Sequence, residues 1–106
     1  MAEWIYFIHP PRDDFAETMT DEENEVWDRH FEHLSRLLAD GALVLAGPTL
    51  GRVTTGIIIL EAPDEASARA IMERDPATAV FVVGRVDPLK LRHYPARGLW
   101  IGDATR

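Results

Sequence analysis

Four histidines and no cysteine define the chemistry open to this chain. Proton transfer at imidazole is available, and disulfides and thiolate metal sites are excluded. His30 is the most telling of the four. Residues 26–38 repeat apolar side chains at helical spacing, and at about 100° per residue Val26, Trp27, Phe31, Leu34, Leu37 and Leu38 fall on one stripe. His30 projects inside that stripe, between Val26 and Leu34, whereas His33 falls toward its edge as a partly exposed neighbour. A ring aimed at a core needs a partner, since an unpaired buried polar group costs roughly 1–3 kcal/mol. Asp75, in Arg74-Asp75-Pro76 at the end of a second helix, is the plausible partner the chain offers. A carboxylate there fixes the tautomer of the ring and stabilises its charged form, the arrangement of a general acid–base. Asp75 would also stand at the negative end of a helix dipole, which disfavours a bare carboxylate and suits one beside a cation. The plainer reading is a satisfied core histidine and a helix-end acid.

Other residue types carry less. His30 and His33 are three apart, but their angular offset and the lack of a third ligand argue against a metal. Gly47-Pro48-Thr49-Leu50-Gly51 lacks the lysine and the strand-to-helix setting of a phosphate loop. Ser35 faces away from the stripe, a poor place for a nucleophile. Trp4, Phe7 and Trp27 read as core. His93, beside Tyr94, reads as a rim or dimer residue.

The elements that must position His30 and Asp75 follow from local signals. Residues 3–8 form an aromatic, β-branched strand closed by Pro10-Pro11, and residues 12–19 form a polar loop. Thr20 starts a helix, with Glu23 completing a capping box, and Gly41 ends it. Strands over residues 42–46 and 54–61 are joined closely enough for an antiparallel hairpin. Asp64 caps a second helix running to about Arg74, where Pro76 drives Asp75 out of helical geometry. A last strand lies within residues 82–94, bent or bulged at Pro88.

This order, β-α-β-β-α-β, predicts an α+β, ferredoxin-like fold: a four-stranded antiparallel sheet with two helices on one face. At 106 residues the chain is one domain, read as residues 1–94 with a C-terminal tail over 95–106. The strands are apolar at successive positions, which implies burial on both faces. The economical cover for the second face is another copy packed sheet to sheet, a symmetric homodimer forming a dimeric α/β barrel. The apolar Leu99-Trp100-Ile101 of the tail is a candidate arm over that partner. A net charge of −7 opposes nucleic-acid binding. No apolar run reaches a membrane span and no basic-then-apolar leader opens the chain, so the expected location is cytoplasmic, with no membrane partner.

These residues resemble the YCII-related family of small dimeric α/β-barrel proteins. In that family a histidine on the first helix lies eleven positions before a glycine, as His30 lies before Gly41, a spacing His33 does not fit. An Ala-Gly-Pro follows the next strand, matched by Ala46-Gly47-Pro48. Gly56, Ala68-Arg69-Ala70 and Asp75-Pro76 complete the match. Ala77 departs from the aromatic that members often carry there, and Trp27 stands where arginine is frequent. The resemblance implies that His30 and Asp75 form a catalytic acid–base pair in a cleft, with Gly47 and Pro48 shaping one wall. His9, at the end of the first strand, is a further candidate to line that cleft, against the plainer reading of a surface loop. The function implied is that of a cofactor-independent lyase, isomerase or dehalogenase acting on a small cyclic or carboxylated metabolite. The alternative is a non-catalytic ligand-binding or regulatory homodimer using the same cleft.

Overall fold

The computed structural model describes residues 2–91, and its elements begin and end on local chemistry. Strand β1 (Ala2–Ile8) leads through a short helix α1 (Phe15–Thr18) into the long helix α2 (Asp21–Ala39). Strands β2 (Leu43–Pro48) and β3 (Gly56–Ala62) form a hairpin, followed by α3 (Glu65–Glu73). A 3₁₀ turn (Pro76–Ala79) and an edge strand β4 (Val86–Leu89) complete the described chain. The sheet order is β2-β3-β1-β4 with every neighbouring pair antiparallel, the arrangement of a split βαβ unit.

The start of α2 is a full capping box: the Glu23 amide donates to the Thr20 hydroxyl at 3.1 Å, and the Thr20 amide donates to the Glu23 carboxylate at 2.9 Å. Its end is a Schellman motif. Gly41 takes φ +79°, its amide donates to the Leu38 carbonyl, and the Ala42 amide donates to that of Leu37. Asp64 caps α3 by accepting from the Ser67 amide at 2.8 Å.

Two expectations are corrected here. Residues 12–19 are not a plain loop, because they contain α1. Arg12 donates to the Thr18 hydroxyl and carbonyl and also grips Glu23, and the fold-back buries Phe15 edge-on against Phe81 at 4.9 Å. The described residues therefore hold three α-helices, not two. The buried face of α2 is also turned from the predicted stripe: Val26, His30, His33, Leu34 and Leu37 are buried, whereas Phe31 and Leu38 are 48% and 64% exposed. The 3₁₀ turn packs against α2 and accounts for this, since it covers a side of the helix that periodicity alone assigned to its edge.

On the helix-facing side of the sheet, Trp4, Tyr6 and Ile8 alternate along β1 beside Ile58, Leu60 and Ala62 of β3, and these join Leu34, Leu37, Ala68 and Met72 in the core. The opposite face carries Ile5, Phe7, Ile57, Ile59 and Leu45, with Phe7 38% and Leu45 54% exposed. Among the described residues no helix is long and apolar enough to cross a membrane. His93, Tyr94 and the Leu99-Trp100-Ile101 segment lie outside the described residues.

Candidate active site

Asp75 is placed by the proline after it. Pro76 forbids helical geometry at the preceding residue, and Asp75 is extended, with φ −68° and ψ 121°. In that conformation the carboxylate turns back onto the 3₁₀ turn that follows and accepts from the Ala77 amide at 2.9 Å. The side chain has no exposed surface, so every remaining lone pair must find a donor in the protein. Two elements supply them. Tyr6, at an inward position of β1, donates its hydroxyl to Oδ2 at 2.6 Å. His30, on the buried face of α2, brings Nδ1 within 2.8 Å of Oδ1 and 3.0 Å of Oδ2.

Burial by itself would push the Asp75 carboxyl up, but the bonds from His30, Tyr6 and Ala77 outweigh it and hold the group below the ordinary carboxylate range. Burial first, and then Asp75, drive the Tyr6 hydroxyl far above its own range, so it remains a donor. An ionised Asp75 can only accept, so Nδ1 of His30 carries a proton and Nε2 is the ring nitrogen that Asp75 leaves free. Among the described residues, the one sealed side-chain nitrogen or oxygen without a partner is Nε2 of His33. Nε2 of His30 also lacks a protein partner among the described residues but is not sealed, and the residue lines the cavity beside it.

That cavity, of about 420 Å³, lies between α1, the middle of α2 and the turn end of the β2–β3 hairpin. Its walls are mostly apolar, with Phe15, Trp27, Phe31 and Phe81 facing Ile8 and Ile58. The Trp27 indole stacks on the His30 ring, centroids 5.3 Å apart, and limits its rotation. Gly47 and Pro48 form part of the wall, as expected from their place after β2. Asp75 does not line the cavity and touches it only through its hydrogen bond with His30.

The structure thus brings His30 and Asp75 together and puts Gly47 and Pro48 on the wall of the cavity that His30 lines. His9 is elsewhere. Strand alternation puts it on the face of Phe7, on which its ring stacks, and it lines a separate hollow with Phe7, Val82 and Arg85. His33 is buried, not at an exposed edge. Burial above all lowers its pKa, against the pull of Asp75 and with help from His30, Arg36 and Arg74, so it sits neutral behind the pair. Sequence reasoning missed Tyr6, treated only as strand. The available signal was a tyrosine at an inward position, whose hydroxyl needs a buried partner.

The YCII-related domain family model matches residues 4–89. The chain belongs to this family. No curated protein matches it closely enough to serve as a relative. Among solved structures, this YCII-related chain is similar to 5-chloro-2-hydroxyhydroquinone dehydrochlorinase from Burkholderia phenoliruptrix AC1100, in complex with 2,5-dihydroxybenzoquinone. The TM-score is 0.61 at 22% identity, over 91% of this chain and 98% of the other. At that identity the likeness is one of fold.

Proposed function

We propose that this YCII-related protein is a small enzyme that performs general acid–base chemistry on a small cyclic or carboxylated metabolite, with His30 as the acid–base and Asp75 as its positioning carboxylate. One observation carries this reading: an imidazole whose Nδ1 is held by a buried, ionised carboxylate while its Nε2 opens on an apolar cavity sized for one small ring. Nε2 takes a proton from the ligand, and the imidazolium so formed is stabilised by Asp75. In an elimination, that proton loss drives out a leaving group with its bonding pair, and His30 then returns the proton to solvent. In an isomerisation, His30 returns it to another atom of the same ligand. A dehalogenase-type reaction fits the first case, and the chemistry named for the structurally similar dehydrochlorinase belongs to that class. The His–Asp pair supplies the proton traffic itself, so the chemistry calls for no cofactor.

We also propose that two copies pack their sheets together. The apolar face of Ile5, Phe7, Ile57, Ile59 and Leu45 supports this, because Phe7 and Leu45 stand exposed on it among the described residues.

The test is turnover of chlorinated and hydroxylated hydroquinones and related ring acids by the wild type, His30→Ala and Asp75→Asn. Positioned proton transfer is worth about 10²–10⁴ in rate, so each variant should lose at least about 100-fold in kcat while keeping its fold and its ligand affinity. Ligand binding that persists with no turnover by the wild type would favour the ligand-binding alternative.

A further inference from the structure

The cavity has two chemically different ends. His30 is 3% exposed and closes the inner end, whereas Arg52 and Asp13, with side chains 81% and 73% exposed, stand at the mouth. They come from segments far apart in sequence, the β2–β3 connection and the stretch before α1, and they meet at 3.0 Å between Nη1 and Oδ2. Among the described residues that line the cavity, Arg52 is the single lysine or arginine, while Asp13 and Glu17 are both acids. An ion pair this exposed contributes little, so Arg52 can exchange its partner readily. A guanidinium suits exchange between carboxylates because its planar donor fork fits either one.

We propose that Arg52 is the specificity-determining residue of the cavity. It recognises a carboxylate or comparable anionic oxygen on the ring ligand, and Asp13 occupies that position until the ligand arrives. The ligand then lies with its exchangeable hydrogen toward Nε2 of His30 and its anionic group toward the mouth. The apolar walls hold the ring between the two. Asp13 and Glu17 repel any anion that does not engage Arg52, which sharpens the selection. This proposal rests on the same cavity as the acid–base reading but needs no turnover.

Two probe ligands separate charge from ring: neutral hydroquinone, and 2,5-dihydroxybenzoate, which adds a carboxylate to the same ring. Their affinities are measured by calorimetry on the wild type, Arg52→Gln and Asp13→Asn. Both residues are exposed, so neither change disturbs the core. Arg52→Gln should weaken 2,5-dihydroxybenzoate about five-fold and leave hydroquinone unchanged, the scale of one partly exposed ion pair. Asp13→Asn should act in the opposite direction and tighten the carboxylated probe alone. If both variants shift both probes in the same direction, or neither distinguishes the probes, the pair is only a brace between two loops and the proposal is overturned. His30→Ala should keep the wild-type preference between probes. Loss of turnover with that preference intact would separate the two readings.

Discussion

Asp75 has three donors around one fully buried carboxylate, and this makes it the strongest constraint on the site. Its linkage to pH follows from the depressed pKa. A carboxyl lowered in the folded state stabilises the fold above its ordinary range, and that contribution is lost as the pH falls through the lowered value. Tyr6→Phe removes one donor from the charged form. The expected loss in urea unfolding is about 1.5–3 kcal/mol near neutral pH, the range for a hydrogen bond to a charged group. The loss should shrink in acid, where Asp75 is protonated. An equal loss at both ends of the pH range would mean that Tyr6 only packs. His30 and Asp75 were legible as a pair because each breaks a local rule: a polar ring in an apolar stripe, and an acid stopped by proline at a helix end. Tyr6 broke no such rule, and its role arises only when β1 meets the turn after α3.

The elements show the same division. The capping box at Thr20, the left-handed Gly41 and the Asp64 cap lie within a few residues of what they satisfy, and the chain announces all three. Helix α1 was hidden because Phe15 stands among acids, and its burial depends on Arg12 tying the segment to Thr18 and Glu23. The rotation of the buried face of α2 was likewise not local, since it depends on the 3₁₀ turn that Asp75 caps. The β1–β3 pairing carries its own test. Gly56 pairs with Ile8, and a methyl at Gly56 would overlap Cγ1 and Cδ1 of Ile8, a buried residue that lines the cavity. Gly56→Ala should therefore destabilise by about 1–3 kcal/mol, the usual effect of overpacking, and lower the affinity for ring ligands. An unchanged urea midpoint would show that Ile8 gives way freely.

At the scale of the molecule, the open question is the second face of the sheet. Runs of apolar residues in β1 and β3 pointed to burial on both sides, and the helices among the described residues pack on one side. Covering the other with a second copy predicts a dimer in sedimentation equilibrium at micromolar concentration. Phe7→Glu combined with Leu45→Glu places two charges on that face and should yield monomers that stay folded. A monomeric wild type would contradict the sheet-to-sheet pair without touching the acid–base site, since His30, Asp75 and Tyr6 all belong to one chain.

The proposed acid–base site depends most on the state of one ring, and long-range proton–nitrogen NMR of the His30 imidazole reads that state without a known substrate. In mildly alkaline buffer, Nδ1 should be the protonated nitrogen and Nε2 the bare one, with Nε2 moving when hydroquinone is added and Nδ1 losing its pairing in Asp75→Asn. A ring protonated at Nε2, or one unmoved by any ring ligand, would contradict it.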